Sequence, residues 1–297
     1  LNMSKPTLGI IGGGQLGSML AIAAKKLEIK TIIFCDDMDA PAQNFANEFI
    51  HGQYDDQNKI NKFIDKVDVI TYEFENIPYE TLNKINKFKP VLPKPSVNRI
   101  IQHRLAEKDF INKLNIRTTR YASIQKKSEM DSMQDLLPGL LKTTTLGYDG
   151  KGQYLINSIE DLDSQSIDFS KDYILEKLVK LKKEISIIIT RFNDKEYEIY
   201  EPIENTHEDQ MLKYSKIPAK INDKTLNQSK LWAIQIAEEL KYIGTLCVEF
   251  FIDRNENLYV NEIAPRVHNS GHLTINAYNV SQFENHIRAV CNLEQIP

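Results

Sequence analysis

Short apolar runs alternate with helix-like segments over the first hundred residues. The apolar runs predict strands, and segments with apolar residues at helical spacing predict helices. In chain order these are a strand at Leu8–Ile11, a helix near Gln15–Lys26, a strand at Thr31–Phe34, a helix near Asn58–Lys66 and a strand at Val67–Tyr72. Such alternation indicates a parallel sheet with crossover helices, and prolines at positions 90, 93 and 95 end the series.

Beyond these prolines the pattern changes to a series of strands. Two helices, near Ser96–Gln102 and Arg104–Asn115, come first. The predicted strands are Leu140–Thr144, Gln153–Ile156, Tyr173–Glu176, Glu184–Thr190, Tyr197–Tyr200, Met211–Ser215 and, after a helix near Thr225–Lys241, Thr245–Asp253 and Leu258–Ile263. Strands separated by Gly, Asn and Asp turns indicate an α+β body on an antiparallel sheet, joined to the α/β head.

Composition narrows the class of protein. A chain of 297 residues suggests two domains, and 41% apolar with 26% charged residues excludes a disordered or fibrous class. The formal net charge of −4 favours neither nucleic acid nor a membrane surface as a partner. Cys35, Cys247 and Cys291 lie in apolar stretches, which predicts reduced core thiols in a cytoplasmic protein. No apolar run is long enough to span a membrane, and no secretory signal is expected.

A glycine motif follows the first predicted strand. Gly12–Gly17 satisfies G-x-G-x-x-G, opens a helix, and precedes Asp36 and Asp37 at the end of the next strand. This pattern is typical of dinucleotide binding. The same glycines and helix N-terminus also suit a sugar phosphate or a carboxylate, and a structural tight turn is a further alternative.

A second glycine-rich loop, Lys142–Gln153, joins two predicted strands. It is not a Walker A loop, because Thr145 replaces the first glycine, Gly152 replaces the Ser or Thr, and a strand follows. Such a loop can fold over phosphates with Lys142 as a point charge, although a hairpin with a solvated turn has the same pattern. Downstream, Tyr173–Val179 and Glu184 suit an adenine edge and ribose hydroxyls, or an ordinary edge strand.

Two glutamates on the last two strands form the strongest constellation. A four-residue hairpin loop at Arg254–Asn257 would place Asp253 opposite Leu258 and Glu249 opposite Glu262, whereas a five-residue loop would place Glu249 opposite Asn261. Like charges directly opposite repel each other. A cation removes this repulsion, and a small set of oxygen ligands suits Mg²⁺ that also holds substrate phosphates.

The segment after these strands is suited to an anionic substrate. His268 and His272 have the spacing of a helical zinc pair, but Pro265 and Gly271 favour a loop, and no third ligand is evident. A loop that carries Arg266, His268 and Asn269 beside a Mg²⁺ site can grip an anion.

Taken together, four segments resemble the N5-carboxyaminoimidazole ribonucleotide synthases, ATP-grasp enzymes of bacterial and fungal purine synthesis. They are Gly12–Gly17, Thr71–Ile77, Gly147–Gln153 and Asn261–His272, and they follow the family's order over nearly the whole chain. The resemblance implies a Rossmann-like pre-ATP-grasp domain at 1–95 and an ATP-grasp domain at 96–297, with a small lid at about 118–180 and a larger part at about 181–297. The family's C-terminal domain is not expected in this chain, and Leu146 replaces the first glycine of the family's loop.

The resemblance also implies an activity. It is the ATP- and bicarbonate-dependent carboxylation of 5-aminoimidazole ribonucleotide through carboxyphosphate, which releases ADP and phosphate. The implied enzyme is a cytoplasmic carbon–nitrogen ligase, a homodimer with ATP and two Mg²⁺ ions at its site. The alternatives are a formate-dependent ATP-grasp ribonucleotide ligase, a nicotinamide-dependent oxidoreductase, and a nucleotide-binding protein without catalysis.

The family's functional residues carry over by position. Those expected around ATP are Arg104, Lys142, Gly147, Tyr148, Asp149, Gly150, Lys151, Gly152, Glu176, Lys177, Leu178, Val179, Glu184, His207, Asn261 and Glu262. The expected metal ligands are Glu249 and Glu262. Those expected at the ribonucleotide are Gln15, Leu16, Glu73, Tyr148, Asp149, Arg266, His268 and Asn269, and the expected catalytic residues among them are Asp149, Arg266 and His268.

Overall fold

The head of the molecule is a parallel sheet with helices. The computed structural model describes residues 5–145, 152–208, 211–268 and 281–293, with the backbone alone at 207–208 and 211–214. In the head the strands are β1 (Leu8–Ile11), β2 (Thr31–Cys35), β3 (Glu48–His51) and β4 (Val69–Tyr72), and the helices are α1 (Gln15–Lys26), α2 (Gln57–Lys66) and α3 (Tyr79–Asn86). The strand order is β3-β2-β1-β4, and all three pairings are parallel. Strands β1, β2 and β4 are buried on both faces, which explains their unbroken apolar runs.

The strands and helices predicted for the head are therefore confirmed, and three elements were missed: β3, α3 and a 3₁₀ helix at Pro41–Asn44. β3 is an edge strand whose residues are exposed or half-buried, so its apolar signal is weak. α3 is short and follows Pro78 in a region that the sequence pattern left without structure. The head leads into α4 (Pro95–Ile101) and α5 (Arg104–Lys113). We propose to keep the domain division at residue 95, because Pro95 opens α4.

A small antiparallel sheet follows these helices. Its strands are β5 (Tyr121–Ile124), β6 (Gly139–Thr143), β7 (Gln153–Ile156) and β8 (Tyr173–Lys177), in the order β5-β8-β6-β7. Helical turns over Lys127–Leu136 and the short helix α6 (Asp161–Ser164) cover it. Its core is formed by buried side chains that include Ile124, Leu141 and Leu175.

The larger antiparallel sheet forms the body of the molecule. Its strands are β9 (Leu181–Arg191), β10 (Tyr197–Ile199), β11 (Ile203–Glu208), β12 (Met211–Lys216), β13 (Gly244–Asp253) and β14 (Leu258–Ala264), with helix α7 (Asp223–Glu239) between β12 and β13. The order is β12-β11-β9-β13-β14, with β10 on β9. Alternate residues of β9 and β13, such as Ile187 and Val248, pack against α4, α5 and α7 in one cluster.

The last described helix, α8 (Gln282–Val290), joins head and body. It packs against α1, β4, β9 and β13. Lys26 of α1 pairs with Glu284 at 2.9 Å, and buried His286 contacts both Thr71 of β4 and Thr245 of β13. The three cysteines are buried and unpaired, as predicted. Within the described residues, no helix is long and apolar enough to cross a membrane.

Candidate active site

Two carboxylates face each other on β13 and β14. Glu249 is the register partner of Glu262, as the shorter hairpin predicts, but the loop itself is longer than that prediction requires. Ile252, and not Asp253, lies opposite Leu258, so the loop comprises residues 253–257. A bulge between Glu249 and Phe250 restores the pairing of the two glutamates. Of the two loops that the sequence left open, the structure has the five-residue one, and the bulge nevertheless gives the juxtaposition of Glu249 and Glu262 that the four-residue loop predicts.

Buried charges on α5 hold this bulge. Lys108, 1% exposed, donates from Nζ to the carbonyl of Asn261 at 3.0 Å and to Thr118 Oγ1 at 2.9 Å. Asn261 is the residue that the bulge leaves without a register partner. Glu107, also buried, accepts from the backbone N–H of Ile263 at 3.2 Å. The helix thus satisfies backbone groups on both sides of Glu262 and fixes where its side chain points.

The acidic pair is electrostatically strained. Repulsion from Glu249, together with burial, raises the pKa of Glu262 to about 8. Burial, with a contribution from Glu262, raises the pKa of Glu107 to about 8 as well. Lys142 and Arg104 oppose the shift at Glu262, which shows that their positive charges lie on the same cleft. The site therefore concentrates acids that a cation would stabilise.

Lys142 enters the cleft from the small sheet. Its Nζ lies 3.0 Å from Glu176 Oε2, and both side chains are largely buried. Burial would raise the pKa of Glu176, but Lys108 and Lys142 outweigh it and the pKa is lowered. Arg104, which opens α5, donates its backbone N–H to the carbonyl of Thr144 at 2.8 Å, next to Lys142. The structure therefore brings together three of the side chains that the sequence predicts around ATP, Arg104, Lys142 and Glu176.

The segment after Glu176 connects the two sheets. Lys177 ends β8 and sends its side chain outward, to the Asp135 carbonyl at 3.3 Å. Leu178 and Val179 then lead into β9, on which Glu184 is half-buried. This backbone connects the two sheets, and its role as the edge that binds adenine stays a prediction. His207 lies on β11, and its side chain is outside the described residues.

Arg266 and His268 lie at the junction of body and head. Arg266 binds Glu75, which follows β4, through Nε–Oε2 at 2.5 Å and a second contact at 3.4 Å. This pairing lowers the pKa of Glu75 despite its burial. His268 Nε2 lies 3.0 Å from Glu249 Oε1. Through His268, the predicted ribonucleotide residues therefore contact the acidic pair.

The glycine motif surrounds a side chain of the protein itself. Glu73 accepts from the backbone N–H of Gly14 at 2.6 Å and from that of Gly17. A Cβ at Gly12, Gly14 or Gly17 would lie 2.9 Å from a Glu73 carboxylate oxygen. The helix N-terminus that a dinucleotide pyrophosphate would use is thus filled by this carboxylate. The geometry does not favour the nicotinamide alternative.

Gln15 and Leu16 open α1 directly beside this Glu73 carboxylate. Gln15 is exposed and Leu16 half-buried. Arg266 lies close enough to lower the pKa of Glu73 in part, although burial raises it overall. Glu73 is therefore near Arg266, and the ribonucleotide role of Gln15, Leu16 and Glu73 stays a prediction.

Several predicted residues cannot be compared with the structure. Gly147, Tyr148, Asp149, Gly150, Lys151 and Asn269 lie outside the described residues. Gly152, at the end of that loop, has φ +68°, and its carbonyl accepts from Thr143 N–H at 3.0 Å. A side chain at this position would be strained and would contact Thr143.

Sequence reasoning missed four polar residues that contact the site: Glu75, Glu107, Lys108 and Gln282, whose carboxamide binds both backbone polar groups of His268. Glu107 and Lys108 share the buried face of α5 with Ile111. Charged residues at the helical spacing of a core position are the signal that could have identified them. Nothing local distinguishes Glu75 or Gln282, because their partners are distant in the chain.

Comparison with known proteins agrees with this geometry. Residues 109–283 match the ATP-grasp domain family, and residues 5–102 match the ribonucleotide synthetase preATP-grasp domain. The N5-carboxyaminoimidazole ribonucleotide synthase of Staphylococcus aureus strain COL is 40% identical over 287 residues, which are 96% of this chain and 76% of that protein.

Solved structures match over similar lengths. The crystal structure of N5-carboxyaminoimidazole synthetase from Staphylococcus aureus complexed with ADP has a TM-score of 0.93 at 39% identity, covering 100% of this chain and 80% of that chain. The Aspergillus clavatus enzyme in complex with ADP and 5-aminoimidazole ribonucleotide has a TM-score of 0.90 at 25% identity, covering 99% of this chain and 78% of that chain.

Two sheets that enclose a cleft of buried lysines and opposed glutamates, with a preATP-grasp head, define an ATP-grasp ligase. The predicted fold class is confirmed. Within that class, the chain belongs to the N5-carboxyaminoimidazole ribonucleotide synthase family.

Proposed function

We propose that this protein catalyses the ATP-dependent carboxylation of 5-aminoimidazole ribonucleotide to N5-carboxyaminoimidazole ribonucleotide in purine synthesis, with bicarbonate as the carboxyl donor. The observation that carries the proposal is the continuity of the site. The opposed Glu249 and Glu262 share the cleft with Lys142, and Arg266 and His268 lie just beyond the end of β14, the strand that carries Glu262. Relatives whose structures contain ADP, or ADP and 5-aminoimidazole ribonucleotide, support the choice of substrates.

The acidic pair fits Mg²⁺. Its ligand atoms are carboxylate oxygens, and the raised pKa of Glu262 means that a proton is retained there near neutral pH unless a cation takes its place. Within the described residues, no group of three or more His, Cys, Asp or Glu side chains that could hold a metal ion is found. We propose an ion held by the acidic pair together with the ATP phosphates. When bound, Mg²⁺ would neutralise charge on the transferring phosphate. We retain two ions as a prediction.

The protein's own residues chiefly position the reactants. A bicarbonate oxygen attacks the γ-phosphorus of ATP, ADP departs, and carboxyphosphate forms. The amine of the ribonucleotide then attacks the carboxyl carbon, phosphate departs, and the amine loses a proton. Lys142 and Arg104 would stabilise the phosphate charge in the first step. A closed cleft would keep water from the labile intermediate.

We assign the second step to Arg266 and His268. Arg266 is a permanent cation. Burial would lower the pKa of its guanidinium, but the neighbouring Glu75 outweighs burial and the pKa is raised. The guanidinium is suited to an anionic acceptor complex. His268 lies beside Glu249 at 3.0 Å, and its imidazole is the described candidate for accepting the amine proton. Asp149 keeps its predicted catalytic role as a hypothesis.

The test is ADP formation measured with each substrate omitted in turn. ADP release should require ATP, bicarbonate and 5-aminoimidazole ribonucleotide together, and ¹³C-bicarbonate should give a labelled carbamate detectable by NMR. Replacing bicarbonate with formate tests for the formate-dependent ligase. A fluorescence titration with NADH tests for the nicotinamide-dependent oxidoreductase. ADP release that follows formate, or ignores the ribonucleotide, would contradict the proposal.

Two variants then test the division of the site. Arg266→Ala should raise KM for the ribonucleotide about tenfold or more and leave KM for ATP near normal. Lys142→Ala should raise KM for ATP about tenfold or more and leave KM for the ribonucleotide near normal. It should also lower stability, because Glu176 loses its partner at 3.0 Å. Equal effects on both substrates in either variant would contradict the assignment. A cytoplasmic homodimer remains a prediction, and sedimentation velocity checks the dimer.

A further inference from the structure

The side chain of Gln282, in the first turn of α8, binds both backbone polar groups of His268. Its Oε1 accepts from the His268 N–H at 3.0 Å, and its Nε2 donates to the His268 carbonyl at 2.7 Å. The side chain is 0% exposed. The Gln282 carboxamide therefore binds the N–H and the carbonyl of His268 as the backbone of a neighbouring strand would. The two residues are fourteen positions apart in the chain.

The helix that carries Gln282 is fixed to both parts of the molecule. Thr245 Oγ1 of β13 donates to the backbone carbonyl of Gln282 at 3.3 Å. One turn later, His286 binds Thr245 N–H at 2.9 Å and Thr71 Oγ1 at 2.8 Å. A side chain on so well anchored a helix is a rigid reference point for the segment that it binds.

The bound segment carries the chemistry of the site. His268 Nε2 lies 3.0 Å from Glu249 Oε1, and Arg266, two residues earlier, is held by Glu75. With its backbone N–H and carbonyl both bound, His268 keeps only its side-chain torsions to adjust. Misplacement of a reacting group by about 1 Å is enough to reduce a rate by about two orders of magnitude.

We infer that Gln282 is a positioning residue of the carboxylation reaction. It holds the backbone of His268 so that the imidazole faces the ribonucleotide beside the acidic pair. The inference rests on the proposed function. It assigns Gln282 no contact with substrate: the role is indirect, through the two hydrogen bonds that its carboxamide makes to the backbone of His268.

Gln282→Met is the decisive variant. Methionine has a similar length and is readily buried, but it can make neither hydrogen bond. We expect kcat/KM for 5-aminoimidazole ribonucleotide to fall about tenfold or more, while KM for ATP stays within about twofold of wild type. Gln282→Glu retains an acceptor for the His268 N–H and should recover part of the loss.

The matched control is Asn285→Ala on the same helix. Asn285 is also 0% exposed, and its contacts are to Glu198 and Tyr200, away from His268. It should lower the unfolding temperature as Gln282→Met does and leave the ribonucleotide kinetics unchanged. If the two variants lose stability alike and neither changes the ribonucleotide kinetics selectively, Gln282 has only a structural role and the inference is wrong.

Amide hydrogen exchange gives a second readout that needs no turnover. The His268 amide should be protected in wild type and exchange at least tenfold faster in Gln282→Met, but not in Asn285→Ala. Unchanged exchange in Gln282→Met would overturn the inference. A wild-type protein without ribonucleotide-dependent ADP formation would instead refute the proposed function, and the exchange result would still decide whether Gln282 holds His268.

Discussion

His286 should make the stability of this protein depend on pH in a window below neutrality. The ring is fully buried, Nδ1 accepts from Thr245 N–H at 2.9 Å, and Nε2 lies 2.8 Å from Thr71 Oγ1. Burial lowers the pKa of His286 from 6.5 to about 4. Protonation of Nδ1 would also bring two donors face to face, so the folded protein holds this histidine neutral.

The sign and size of the effect follow from linkage. Between about pH 6.5 and pH 4 the unfolded chain binds a proton at His286 that the folded chain does not, so stability falls as the pH falls. Each pH unit inside the window costs about 1.4 kcal/mol. The contribution lost should therefore be roughly 2 kcal/mol on going from about pH 7.5 to pH 5, and roughly 3 kcal/mol at the acid limit.

Urea unfolding at several pH values measures this contribution by difference. Other groups titrate in the same range, so wild type is compared with His286→Gln, which can still accept from Thr245 and donate to Thr71. That variant should be less dependent on pH by roughly 2 kcal/mol across the range. His51→Gln, the same change at a half-buried histidine on β3, is the control and should keep the wild-type dependence. Parallel curves for wild type and His286→Gln would refute the reasoning.

Three further predictions concern the charged groups of the site. Glu262→Gln should abolish turnover yet leave the ligand-free protein about as stable near neutral pH, because glutamine, like the protonated acid that the raised pKa of Glu262 favours, carries no charge beside Glu249; calorimetry and ADP release check both. Lys108→Met should cost about 2–4 kcal/mol in urea unfolding, since the Asn261 carbonyl and nearby acids lose their cation, whereas exposed Lys113→Met on the same helix should change stability by less than about 0.5 kcal/mol. Glu73→Gln should cost about 1–3 kcal/mol, because one glycine N–H then faces a donor; an unchanged denaturation midpoint would count against that pairing.

The alternation of apolar runs with helical segments was enough to predict the parallel head, and the later run of strands was enough to predict an antiparallel body. Both patterns are local, because a strand or helix shows which of its faces is buried within a few residues. The sequence also limited the partner of Glu249 to Glu262 or Asn261, since a short hairpin restricts the pairings that two successive strands can adopt. The substrates were predicted from the motifs that resemble those of the family.

Only the tertiary structure decided how those groups are held. Whether Glu249 faces Glu262 or Asn261 depends on a bulge whose carbonyl is bound by Lys108, about 150 residues earlier in the chain. The glycine motif reads as a nucleotide site until Glu73, from a different strand, is found inside it. Gln282 and His268 meet through the docking of a helix. Hydrogen bonds and charge pairs between distant segments leave no periodic trace in a sequence, because each partner is an ordinary polar residue until folding brings the two together.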